Sequence, residues 1–102
     1  MFTNKRYTTK KIQNELPLAL QLFIWKCIDN LKRNDIGIDY FQSIDLKIIN
    51  DNKELNLIVT HSQEAPEYTK QYMLLIETSI SEHHIYVIDD GTFSTMMFSS
   101  EY

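Results

Sequence analysis

Apolar positions along the chain change period once, near residue 37. From Pro17 to Arg33 no helix breaker intervenes, and Leu20, Phe23, Ile24, Cys27, Ile28 and Leu31 recur every three or four residues as one continuous stripe. Pro17 suits a first helical turn and pushes Leu16 toward an extended backbone, while Asn34-Asp35 and Gly37 stop the run. The pattern predicts a helix over about 17–33. Beyond Gly37 the period falls to two. Ile44, Leu46 and Ile48 alternate with Ser43, Asp45 and Lys47, and Leu55, Leu57 and Val59 continue the rhythm in the next segment. Segments 68–78, 84–89 and 93–98 complete five predicted strands, and Tyr7-Thr8-Thr9, within residues 7–12, could add a short edge strand. Asn50-Asp51-Asn52 and Asp90-Gly91 have turn chemistry, and Glu64-Ala65-Pro66-Glu67 reads as a connection. The prediction is one α+β domain over 1–102: a long helix packed on a mainly antiparallel five-stranded meander, either open or strongly curled.

Two apolar surfaces are left over. Leu18, Leu22 and Trp25 lie off the main helix stripe and form a second ridge among Lys26, Asp29, Lys32 and Arg33. In the strands, Tyr72, Leu74 and Ile76 oppose Met73 and Leu75, and Ile85 and Val87 oppose Tyr86 and Ile88. One helix covers one face of five strands, so the other face needs curling, the chain termini or another chain. Phe2, Tyr7, Phe98 and Tyr102 are the residues that could cover the helix ridge from within the chain.

Composition narrows the class. With 43% apolar and 24% charged residues but only two Gly and two Pro, the chain has the make-up of a folded, water-soluble domain. No apolar run approaches the roughly 18 residues of a membrane helix. Met1 to Lys11 has no apolar segment of secretory type, and one cysteine permits no internal disulfide, so a cytoplasmic location is expected. The net charge of -4 is unevenly spread. Residues 1–33 carry seven basic against two acidic residues, a balance of +5, and residues 34–102 carry three against twelve, or -9. Such a balance disfavours nucleic acid as a partner of the whole domain.

Candidate chemistry is sparse. His61, His83 and His84 with Asp89 and Asp90 suggest metal ligands at first sight, yet adjacent strand residues point to opposite faces and no HxxxH spacing is present. The histidines read as surface or turn residues, and no metal or cofactor is expected. Glu64, Glu67 and Tyr68 around Pro66, and Asp89 with Asp90, form the low-ranked polar candidates for a ligand or acid–base site. Asp-Gly turn chemistry already accounts for the second of these. Cys27 lies in the middle of the core stripe and reads as a small buried residue. Gly37 and Gly91 are the only glycines, which excludes the glycine-rich phosphate loops.

Several short motifs carry a resemblance. Met1-Phe2-Thr3-Asn4-Lys5-Arg6-Tyr7, Glu15-Leu16-Pro17 with Gln21 and Trp25, and Ile28-Asp29 resemble the start of a family of small proteins of unknown function (domain of unknown function 960) found in Gram-positive bacteria. Gln63 to Tyr68, Val87 to Gly91, Ser94-Thr95-Met96 and the closing Glu101-Tyr102 are similar to that family's later landmarks. The resemblance spans nearly the whole chain. It implies a small cytosolic protein and supplies no catalytic residue. The expected function is therefore a non-enzymatic interaction or self-associating module. Leu18, Leu22 and Trp25 or the second sheet face would meet itself or another protein, with no membrane partner. The alternatives are a ligand binder or enzyme at the acidic loop or hairpin, and an acidic decoy for a nucleic-acid-binding protein.

Overall fold

The computed structural model describes residues 1–51, 54–76 and 80–102. Its elements are β1 (Lys5–Thr8), α1 (Lys10–Glu15), α2 (Leu18–Lys32), β2 (Phe41–Asp51), β3 (Glu54–Gln63), β4 (Tyr68–Leu75), β5 (His83–Asp89) and β6 (Phe93–Phe98), closed by a 3-10 turn at Ser99–Glu101. The predicted helix is present as α2. Pro17 caps it from outside, accepting from the N–H groups of Leu20 and Gln21 through its carbonyl. The core stripe is buried as the period requires, with Phe23 half-buried at its edge.

The sheet has six strands among the described residues, in the order β1-β6-β5-β2-β3-β4. The five-strand expectation is corrected at the N-terminus. β1 pairs parallel with β6, Arg6 opposite Ser94 and Thr8 opposite Met96, while every other pairing is antiparallel. Residues 10–12, assigned to a possible edge strand, instead open α1. Thr9 caps that short helix by accepting the Ile12 N–H, and its own hydroxyl donates to the Glu101 carboxylate. Gln21, buried in α2, donates to the Ile12 and Leu16 carbonyls at the far end of α1 and ties the two helices together.

The meander is also corrected. β2, β3 and β4 follow one another as hairpin neighbours, but β5 returns to the free side of β2. That is the Greek-key order, with β6 and β1 added outside it. The strand predicted over 68–78 ends at Leu75, and residues 77–79 lie outside the described part. Of the predicted Asn50-Asp51-Asn52 turn, Asn50 and Asp51 extend β2 and Asn52 lies outside the described part.

Both helices lie on one face of this sheet. Ile44, Leu46, Leu57, Val59, Ile85, Val87, Met96 and Phe98 point into that layer and are buried with Ile12, Leu16, Ile24 and Ile28. Phe2 is buried there too, and not on the helix ridge. Arg6 fastens β1 to α2. Its guanidinium forks onto Asp29 at 2.5 and 3.3 Å, bonds the Phe2 carbonyl and lies 4.9 Å from the centre of the Trp25 ring. The bonds from Arg6 hold the Asp29 carboxyl below its ordinary pKa.

Candidate docking surface

Strand pairing aligns residues of equal parity on one face, so the side opposite the helices can be read from the register. Phe93, Thr95 and Met97 of β6, Tyr86 and Ile88 of β5, Phe41, Ser43 and Asp45 of β2, Ile58 and Thr60 of β3, and Met73 and Leu75 of β4 all belong to it. No helix lies over this side among the described residues, and the sheet stays open. Tyr102 reaches it from the C-terminal turn, its ring 5.4 Å from Phe41 and 5.6 Å from Tyr86. At one edge Tyr7 stacks edge-on against Phe93 at 5.2 Å. At the other edge Met73 and Leu75 are 67% and 71% exposed. Among the strand residues whose side chains are described, the charges on this face are Lys5, Asp45 and Lys47, the last two 3.9 Å apart.

Polar side chains occupy the middle of this face, among them Ser43, Thr60, Ser62, Gln71 and His84. Between Phe41 and Tyr86 lies a concavity of about 290 Å³ that also takes Ser43, Glu64 and His84. The Ser43 hydroxyl is 2.8 Å from His84 Nε2, the spacing of a nucleophile and its base. Yet no carboxylate among the described residues forms an ion pair with His84, and the Ser43 backbone belongs to the ladder with Ser62. The pair acts as a cross-strand hydrogen bond.

A second polar cluster lies inside the helix layer. His61 was expected at the surface and is fully buried, because it continues the inward parity of Leu57 and Val59. Gln42 donates its amide N–H to the Gln63 Oε1 and the Asp39 carbonyl, so its Oε1 is the acceptor for His61 Nε2–H at 2.5 Å. That fixes the tautomer and leaves Nδ1 as a bare lone pair without a partner. Burial pushes the imidazole pKa down to about 4. The Tyr68 and Tyr72 hydroxyls are buried nearby without a partner, and burial raises both phenol pKa values. The Cys27 thiol, beside Tyr72, is raised to about 11. Burial keeps these groups neutral near pH 7.

A family model described as staphylococcal protein of unknown function (DUF960) matches residues 5–101. The chain belongs to this DUF960 family. A crystal structure of a protein of unknown function from Enterococcus faecalis is similar to the DUF960 chain, with a TM-score of 0.71 and 25% identity over 97% of this chain and 91% of that one. No curated protein matches.

The structure separates the residues that sequence reasoning grouped. Leu18 and Leu22 of the DUF960 chain are 67% and 60% exposed on the back of α2, whereas Trp25 is half-buried beneath Arg6. Glu64 and Glu67 are exposed in the β3–β4 connection, but Tyr68 turns its hydroxyl inward and away from them. Asp89 is buried and fully engaged: it accepts the N–H groups of Phe2 and Gly91 and the Asn4 amide. Burial pushes its pKa up, but those donors and the N-terminal ammonium outweigh it and leave the carboxyl below its ordinary value. Asp90 caps the β5–β6 turn by accepting from Thr92 and Phe93, and those two bonds lower its pKa. Gly91 supplies the positive φ of 97° that the turn needs. The two acidic candidates are therefore a solvated connection and a turn that pins the N-terminal segment. Among the described residues no three His, Cys, Asp or Glu side chains are placed to hold a metal ion, and no helix is long and apolar enough to cross a membrane.

Proposed function

We propose that this protein is a non-enzymatic docking module whose working surface is the open face of the sheet. The observation that supports this reading is the set of large apolar side chains on that face, Phe41, Tyr86, Phe93 and Met97 toward one edge and Met73 and Leu75 at the other, with little charge among its described side chains. Exposed apolar patches of this kind mark a protein contact, because their removal from water is favourable by roughly 25 cal/mol per Å². A specific interface takes about 800 Å² from each partner. That is about an eighth of the 6399 Å² surface, an area a six-stranded face can supply. The occupant is a protein surface that is itself neutral and apolar, since Lys5, Asp45 and Lys47 offer little to a charged ligand. The same scarcity of charge weighs against an acidic decoy acting through this face. Glu64, Glu67 and Asp90 instead lie in the connections at one end of the sheet.

Met97, half-buried opposite Tyr86, is the point to perturb. Immobilised protein and its Met97→Lys variant are challenged with extract of the source cells at low and high salt. The expected result is a bound protein that survives high salt and is lost with Met97→Lys but kept with a Leu18→Glu/Leu22→Glu double variant. Binding that is equal in wild type and Met97→Lys, or that salt removes, contradicts the reading.

A further inference from the structure

The two edges of the sheet are built differently. β1 is only four residues long and carries the exposed Lys5; shortness and charge are two of the devices that keep an edge from pairing. β4 runs for eight residues, Tyr68–Leu75, with no Pro, no Gly and one charge, Lys70. Its ladder reveals which backbone groups are free. The Ile76 N–H donates to the Leu55 carbonyl at 3.1 Å, so Ile76 and Leu55 are a hydrogen-bonded pair. Alternation then assigns the bonds to β3 to Leu74, Tyr72, Lys70 and Tyr68. The N–H and C=O groups of Thr69, Gln71, Met73 and Leu75 point away from β3. The same parity holds elsewhere in the sheet. The Ile48 N–H points past the end of β5, and the Glu82 carboxylate takes it at 3.1 Å. No such substitute covers the outer edge of β4 among the described residues.

We propose that two copies of this chain pair antiparallel through β4 across a two-fold axis, merging two six-stranded sheets into one. The partner is a second copy because β4 fits itself. Antiparallel pairing keeps like parity opposite like parity, so Thr69 of one copy meets Met73 of the other on the open face with Gln71 beside its own mate, and no charge lies among these three. With Gln71 opposite its symmetry mate, Lys70 lies opposite Tyr72 of the other copy. Lys70 already sits 5.1 Å from the Tyr72 ring in its own chain, so the contact extends an existing cation–π arrangement. The two-fold sets both open faces on the same side and both helix layers on the other. The charged, short β1 edges end the merged sheet, so assembly closes at two copies and does not propagate. The pairing is independent of what docks on the open face, and it doubles that surface.

Sedimentation equilibrium over micromolar concentrations tests the pairing together with amide hydrogen exchange. The expected mass is twice the 12.1 kDa of the chain. The Gln71 and Met73 amides, unpaired in one copy, then exchange about tenfold or more slowly at dimer concentrations than on dilution to the monomer. Gln71→Pro removes an outward N–H and no backbone bond to β3, and the side-chain bond that Gln71 gives to Thr60 of β3 is lost equally in Gln71→Thr. It raises the dimer dissociation constant on the order of a hundredfold, while Gln71→Thr leaves it unchanged. A monomer at every concentration overturns the pairing, as does a dimer in which the Gln71 and Met73 amides exchange freely. Neither result depends on Gln71→Pro folding, and neither touches the Met97→Lys test of the open face.

Discussion

Acid should weaken this fold through one residue, His61, before most carboxylates protonate. The imidazole is fully buried, gives its only proton to Gln42 and has no acceptor near Nδ1. Protonation at Nδ1 would create a buried N–H with no partner and a charge in the core. The folded value is therefore about 4, against 6.5 in an exposed histidine. The unfolded chain takes up the proton first as pH falls, so stability is complete above the unfolded value and declines from about pH 6.5 down to the folded value near 4. At 1.36 kcal/mol per pKa unit, the loss is about 2 kcal/mol at pH 5 and about 3 kcal/mol below pH 4. Urea unfolding at pH 7.5, 6, 5 and 4.5 measures it. Carboxylates add their own loss at the acid end, so the decisive quantity is the difference from His61→Gln, whose amide can still donate to Gln42 Oε1. The variant is destabilised at pH 7.5, and its deficit shrinks by about 2 kcal/mol between pH 7.5 and 5. Parallel curves for the two proteins would refute the reasoning, as would an imidazole NMR shift that titrates with a midpoint near 6.5.

Three further outcomes follow from the packing. Asp89→Asn puts an amide NH₂ among the donors of Phe2, Asn4 and Gly91 and should cost about 1–3 kcal/mol, with faster proteolysis of the N-terminal segment. The wild-type carboxylate supplies this stability above its ordinary pKa and loses it as pH falls through the lower folded value, which the variant's flatter acid limb will show. Arg6→Ala removes the fork onto Asp29 and the cover over Trp25 at a partly exposed site, so it should cost about 1 kcal/mol, less in high salt, and shift the Trp25 fluorescence to the red. Cys27, 1% exposed and held protonated, should resist a thiol reagent at pH 8 in the folded protein and react at once in denaturant.

The helix α2 and the face assignment of each strand were legible because each rests on a local period. The same parity already marked Gln42, His61 and Asp89 as inward residues, in step with Ile44, Val59 and Val87. Their polarity pointed the other way, and only their mutual bonds to Gln63, Asp39 and the N-terminal segment make the burial tolerable. β1 was only partly legible, since Lys5-Arg6-Tyr7-Thr8 has no apolar alternation and is held by parallel bonds to a strand some 90 residues away. α1 is six residues long, too short to signal by periodicity, and exists through the Thr9 cap and Gln21. The position of β5 beside β2 is a tertiary choice between two open edges, and no local pattern encodes it. The surplus of apolar strand residues did point to an uncovered face, but Trp25 was grouped with Leu18 and Leu22 because helical spacing alone does not reveal Arg6 arriving from β1.

Carbene labelling read by mass spectrometry tests the docking role of the open face most directly. Purified protein is labelled alone and after mixing with concentrated extract of its source cells. The account predicts strong labelling of Met97, Tyr86 and Phe93 in the isolated chain and marked protection of these side chains in the extract, with Leu18 and Leu22 labelled equally in both. Equal labelling of Met97, Tyr86 and Phe93 in the two samples would contradict it.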